Sequence, residues 1–399
     1  MIKSYPRFPH LIIVTLINKD KGDEFMKFSI DRKYFYNKLS VTSRAISVFS
    51  PLPALSGIHI RVEANKIILT GSDSNISIRT MIESDEQNQL KIESEGSIVM
   101  DSKYLLEIVR KIDSPVIEME LMDFELVRIT SNNGQFNLNG IEAEQYPNID
   151  FSQPETAIHI STSNLKDIVN QTAYACGDND QQRPVLMGIN FNIQQNQLYC
   201  SGTDSYRLAR KKVTIDSKAD MNVTIPNKSL SEVVKSLSDE QQQIDMYIDR
   251  KKAQFIFDQT IFQTRLLDGS FPEVERIIPT SSVATLVVSS HELTSIVDRT
   301  NFIRNDKIHL VKLECSEDIV RVKTSSSEIG NSDEVMTDCI YQGEPLTLTC
   351  NGSFLLDAVR ALHCEKVELK FSGLMKPIRI INPEDDSAIM IIVPVRSYD

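Results

Sequence analysis

The sequence predicts an α+β protein of three similar domains, each with two helices laid on antiparallel sheet. Three observations predict it. One short helical pattern recurs six times, the strand patterns behind it alternate between two kinds, and an aromatic-Pro pair closes each of the first two units.

The helical pattern is clearest in "SNLKDIV" (163–169), where Ser163 stands as a cap ahead of Leu165, Ile168 and Val169. Copies follow in "KYLLEIV" (103–109), "KSLSEVV" (228–234), "HELTSIV" (291–297) and "SFLLDAV" (353–359), with a looser one in "KYFYNKL" (33–39). The anchors are Phe35, Leu105, Leu165, Leu230, Leu293 and Leu355, at steps of 70, 60, 65, 63 and 62 residues.

Behind Phe35, Leu165 and Leu293 a gap precedes a period-two strand: "GIHIRVEA", "GINFNIQQ" and "VKLECSED". Each meets a polar turn, a second strand and a small polar cluster, "TGSD" (70–73), "SGTD" (201–204) or "TSSS" (324–327). Behind Leu105, Leu230 and Leu355 the strand comes sooner: "VIEMELM" (116–122), "QIDMYID" (243–249) and "KVELKFS" (366–372). The order is A-B-A-B-A-B. In the first unit "SNNGQ" (131–135) predicts a hairpin with Asn133-Gly134 in its turn. Tyr146-Pro147 and Phe271-Pro272 mark boundaries, because Pro cannot continue a sheet ladder. The domains are expected at 26–150, 151–281 and 282–399.

Composition agrees with a globular protein: 399 residues, 41% hydrophobic and 25% charged. The formal net charge of −12, taken alone, argues against nucleic-acid binding. Its distribution argues the other way. The six helix windows (32–46, 102–112, 163–174, 227–237, 290–299 and 353–362) hold 12 Lys or Arg against 6 Asp or Glu. They carry +6, so the rest of the chain carries −18. Helices sharing a face would attract a polyanion to it while the outside repels one.

The six cysteines lie far apart, with no Cys-x-x-Cys pair, and read as reduced thiols of a cytoplasmic protein. The scattered histidines give no metal-ligand spacing, and no cofactor or metal is expected. No segment reaches the roughly 18 apolar residues of a membrane span. Phosphate-loop, dinucleotide, zinc-protease and nucleophile-elbow motifs are absent. The most enzyme-like stretch is "GTDSYRLAR" (202–210), which by itself reads rather as a turn that ends one strand and begins another, with Asp204 bonding local amides.

Three A-B domains, "LTGSDSNISI" (69–78), "GTDSYRLAR", "LLDGSFPEVERIIP" (266–279) and "IIVPVRS" near the C-terminus together resemble the bacterial DNA polymerase III beta subunit family, the sliding clamps. The likeness runs from Met26 to Asp399. It implies three DNA-clamp domains forming half of a closed ring: a head-to-tail homodimer with helices lining the hole and sheets outside. Its function would be processivity: encircling double-stranded DNA without sequence preference and tethering the replicative polymerase, the clamp loader, and mismatch-repair and other clamp-motif peptides, without catalysis.

The resemblance implies a peptide-binding cleft between the second and third domains. Leu186, Thr203, Tyr206, Arg207 and Leu208 would come from the second domain, and Pro272, Arg276 and Ile277 from the connecting segment. Pro377, Val393, Pro394, Val395 and Arg396 would complete it, with Arg207 and Arg276 on a polar rim. Many relatives have Gly-His in place of Ser205-Tyr206 and Met in place of Val393, so peptide preference is expected to differ. The dimer contact would join Phe136 and Leu138 to Phe302 and Ile303. Arg44, Lys103, Arg110 and Lys235 would contact DNA, although the family's best-known basic position falls near Phe49.

Two readings compete: a hydrolase using Asp204, Tyr206 and Arg207, and a non-DNA repeat scaffold, which the helical charge of +6 disfavours. Residues 1–25 are expected to be a non-native upstream extension, with Met26 as the natural start. The segment "KGDEF" (21–25) is encodable by a purine-rich run that resembles a bacterial ribosome-binding site.

Overall fold

The computed structural model describes residues 25–47, 50, 52–217, 219–238, 241–303 and 308–396. The expected upstream extension lies outside them apart from Phe25, and so does Phe49. All six expected helices form: α1 (Arg32–Ser43), α2 (Ser102–Lys111), α3 (Thr162–Thr172), α4 (Asn227–Ser236), α5 (Ser290–Arg299) and α6 (Gly352–Leu362). Five begin behind a side chain that accepts an orphan amide: Asp31, Asp101, Ser161, Ser289 and Asn351. The cap of α3 is Ser161, bonded by the Asn164 amide at 3.1 Å, and Ser163 lies inside the helix. Only α4, which follows Pro226, starts without a side-chain cap.

Every strand pairing is antiparallel. Among the described residues the strands make four sheets, two of nine strands, one of five and one of four. The nine-stranded sheets cross the domain boundaries. Strand Ile76–Glu83 of the first domain pairs with Thr260–Arg265 of the second, and Arg207–Thr214 of the second pairs with Asp385–Ile392 of the third. The sheets of five and four strands end in Gly134–Asn139 and Gly330–Met336. The expected hairpin ahead of Gly134 forms, but Ser131 pairs with Gly134 and the turn falls on Asn132-Asn133. Ser131 Oγ donates to the Gly134 carbonyl at 3.1 Å, and no residue there needs a positive φ.

Each domain has its own apolar core, and the cores reach across the joins. Ala45, Ile76 and Ile78 belong to the core of the second domain, and Ala175 and Ala209 to that of the third. The helices form one continuous row. The pairs α1–α2, α3–α4 and α5–α6 pack within domains, α3 packs on α6, and an Arg44–Glu232 ion pair at 3.0 Å links the end of α1 to α4. The order is α2-α1-α4-α3-α6-α5.

Candidate binding cleft and basic helix row

The segment 202–210 is a turn between two strands, built by its own polar side chains. Asp204 Oδ1 accepts the amides of Tyr206 (2.9 Å) and Arg207 (3.0 Å), and Thr203 Oγ1 accepts the Ser205 amide (3.1 Å). Ser205 sits in the left-handed region at φ 80°, where glycine is the easy occupant. Arg183 holds it there: its Nη1 donates to Ser205 Oγ at 2.8 Å while its Nε and Nη2 grip Asp180. Tyr206 therefore projects from a fixed turn with 67% of its surface exposed. The Asp204 carboxylate is fully engaged by turn amides and Arg207, which removes the basis for a hydrolase site here.

Arg207 is not on a rim. Only 13% of its side chain is exposed, with Nε on Asp204 (2.9 Å) and Nη1 on Asp357 of α6 (2.7 Å). Its guanidinium lies 4.4 Å from the Phe354 ring centroid and 5.4 Å from that of Tyr174. The planar cation satisfies two carboxylates and two aromatic faces, so it acts as a strut between the second and third domains. Burial pushes the Tyr174 hydroxyl well above its ordinary range and the nearby Cys176 thiol up to about 12, so both stay neutral. Tyr174 and Phe354 are absent from the sequence-based set. Phe354 lies within the helical copy at 353–359, but only the fold brings it to Arg207.

The other expected cleft residues divide into floor and surface. Leu208 is buried with Val274 and Ile391, and Phe271 and Ile278 pack against them. Leu186, Thr203 and Pro394 are also buried. Val393 and Ile277 are exposed, and Pro377 and Val395 half-buried. The last segment is stitched across the join: the Val393 amide donates to the Tyr206 carbonyl at 3.0 Å and the Val395 amide to that of Thr349 at 2.8 Å. Pro272 and the exposed Arg276, ion-paired with Glu273 at 2.9 Å, line a 290 Å³ cavity with Asn190 and Tyr199. Arg396 is exposed.

Among the expected DNA contacts, Lys103 is exposed and has no ion pair among the described residues. Arg110 is paired with Glu107 at 3.0 Å, and Lys235 with Glu232 at 2.8 Å. Both cations are themselves exposed and screened by solvent, which leaves them able to exchange partners. Arg44 is the correction: its pair with the half-buried Glu232 joins two domains. Hydrogen bonds from Lys235 and Arg44 outweigh the upward pull of burial and hold the Glu232 carboxyl below its ordinary range. Lys33 on α1 and Lys228 on α4, outside the expected set, are exposed cations without an ion pair among the described residues.

Phe136 and Phe302, expected at a subunit contact, are exposed, and Leu138 is half-buried against the first core. Ile303 is 1% exposed and presents no side-chain surface to a partner. Its amide donates to Thr300 at the end of α5, which turns it inward behind the exposed Phe302.

Family models of the DNA polymerase III beta subunit match the chain in sequence: the N-terminal domain at residues 26–150, the central domain at 159–273 and the C-terminal domain at 275–396. The chain belongs to the DNA polymerase III beta subunit family. The beta sliding clamp of Bacillus subtilis is 34% identical over 379 residues, covering 94% of this chain and 100% of the relative. That of Staphylococcus epidermidis is 34% identical over 377 residues, with the same coverage. In structure, the Bacillus subtilis sliding clamp superposes with a TM-score of 0.89 at 33% identity, covering 94% of this chain and 100% of that one. The beta chain from Streptococcus pneumoniae gives 0.90 at 30%, covering 93% and 100%. The three-domain clamp architecture, with sheets and six helices, is that of the sliding clamps of DNA polymerase III. Among the described residues no helix is long and apolar enough to cross a membrane.

Proposed function

We propose that two copies of the chain close head to tail into a ring that encircles duplex DNA and tethers replication and repair proteins in the cytoplasm, without catalysing a reaction itself. The carrying observation is a join made twice within the chain and left open at its ends. Strands Ile76–Glu83 and Arg207–Thr214 follow equivalent polar turns, and each pairs with the last strand of the next domain. Gly330–Met336 occupies the same place in the third domain, and Gly134–Asn139 matches Thr260–Arg265 in the first, yet among the described residues both are sheet edges. Unpaired edges are templates for another chain, and a heterologous contact that closes makes a ring.

The internal join also supplies a register. Thr80 opposite Thr260 and Ile76 opposite Thr264 translate into Glu334 opposite Gly134, and Gly330 opposite Leu138, between copies. The helix row ends in α2 and α5, so the same contact would join the rows end to end. Lys33, Lys103 and Lys228, with the exchangeable Arg110 and Lys235, would contact phosphates without reading bases, which permits sliding. The exposed Tyr206, Ile277 and Val393 above the buried Leu208 and Leu186 suit an extended apolar peptide.

The test is retention on circular DNA after loading by a matched clamp loader with ATP. Protein that stays on closed circles through high salt and leaves once they are cut is held topologically. Equal loss from both forms as salt rises would overturn the ring.

A further inference from the structure

The turn that carries Tyr206 exists twice. In the first domain Asp73 Oδ1 accepts the amides of Asn75 (2.9 Å) and Ile76 (2.8 Å), and Ser74 stands at φ 77°. The Arg265 amide donates to the Asn75 carbonyl at 3.0 Å, just as the Val393 amide does to Tyr206. Strand register makes the equivalence residue by residue. Ile76 faces Thr264 where Arg207 faces Ile392, so Arg265 stands for Val393, Asn75 for Tyr206 and Ser77 for Leu208. The short helices Pro53–Ser56 and Pro184–Met187 make Leu55 the counterpart of Leu186, and Pro147 matches Pro272.

Those five counterparts, Leu55, Asn75, Ser77, Pro147 and Arg265, line one cavity of 760 Å³ at the join of the first and second domains. The position is retained and the chemistry changed: a leucine becomes Ser77, a valine Arg265 and a tyrosine Asn75. Arg250 and Lys251 also line it. Neither they nor Arg265 has an ion pair among the described residues, and all three are exposed. The acidic groups of the cavity are Asp150, Asp249 and Asp268. Asp150 is engaged by Ser152 and by Lys252 at 3.2 Å, and Asp249 by the amides of Lys251 and Lys252.

We propose that this cavity is a second binding cleft, selective for an extended peptide segment with acidic side chains. Carboxylates would meet Arg250, Lys251 and Arg265, while Asn75 and Ser77 bond the peptide backbone. The idea borrows its outline from the cleft read at the second–third join, so the test separates the two.

The probe is a fluorescein-labelled dodecapeptide of alternating Glu and Gly, with a Gln-for-Glu version, followed by fluorescence polarisation at low salt on the full chain. The expected result is binding at least tenfold tighter for the Glu peptide. R250E/K251E/R265E is expected to weaken it at least tenfold, and the milder R250Q/K251Q/R265Q to a lesser degree, with unchanged circular dichroism. Binding should survive Y206A/V393D and K103E/R110E. No preference for the Glu peptide overturns the proposal. So does loss with Y206A/V393D, which would place the peptide in the other cleft, or loss with K103E/R110E, which would place it on the helices.

Discussion

The join between the first and second domains and the join between the second and third share a backbone and differ in nearly everything else. At the first, a buried hydroxyl ladder runs Thr42–Thr80–Thr260 with both contacts at 3.2 Å, and the buried Lys38 reaches Asp258 at 2.7 Å. At the second, Arg207 is clamped by Asp204 and Asp357 between two aromatic rings, Lys211 donates to Ser387 at 2.7 Å, and Arg210 pairs with Glu275. Lys211 occupies the place that Thr80 holds in the first join. Backbone pairing fixes the relation between neighbouring domains, which leaves side chains free to make one join a hydroxyl-laddered seam flanked by ion pairs and the other a cleft braced by a cation between aromatic rings.

Several changes would break or sharpen this contrast. The largest effect is expected at the open edge, where side-chain burial between copies has no intrachain substitute. Phe136→Asp places a charge at the edge that the proposed register sets opposite Ser332. It should weaken self-association at least a hundredfold by analytical ultracentrifugation, about 3 kcal/mol. A dimer constant within threefold of the parent would show that this edge is not the contact.

Next is Arg207→Ala, which strands Asp204 and Asp357 and empties the space between Tyr174 and Phe354. We expect a loss of about 3 kcal/mol confined to the third domain's docking, because breaking a largely buried pair leaves an uncompensated charge. Urea unfolding followed by hydrogen exchange at Asp385–Ile392 reads it. Uniform loss of protection across all three domains would argue against a local strut.

Thr80→Val should cost about 1 kcal/mol, since it removes two neutral hydrogen bonds while Thr42 keeps its bond to the Lys38 carbonyl at 2.9 Å. A cost equal to that of Arg207→Ala would erase the distinction between the joins.

The smallest effect concerns Glu232, whose pair with Arg44 crosses the first join. Its folded value lies below the ordinary 4.5, so the stability it contributes is complete above pH 4.5 and is lost as pH falls through the lower folded value. Glu232→Gln should flatten that part of the acid limb of Tm against pH, by about 0.5 kcal/mol at low salt. An unchanged acid limb would mean the pair contributes nothing measurable.

What the sequence determined by itself was local and repetitive. Helix period, strand alternation and polar turns depend on neighbours a few residues apart, so all six helices and their strands were legible, as was the A-B alternation behind them. The order of motifs from Met26 onward was enough to place the chain in its family. What only the tertiary structure decided was who meets whom across the joins. Arg207 meets Asp357 at a separation of 150 residues, and Arg44 meets Glu232 at 188, so neither link has a local signature. For that reason Arg207, expected on a rim, is a strut; Arg44, expected on DNA, is bridged to Glu232; and Ile303, expected at the subunit contact, is buried. The equivalence of the two clefts likewise rests on strand register, which periodicity does not encode. Charge and hydropathy describe what a residue offers, whereas its role depends on which distant group the sheet brings within about 3 Å.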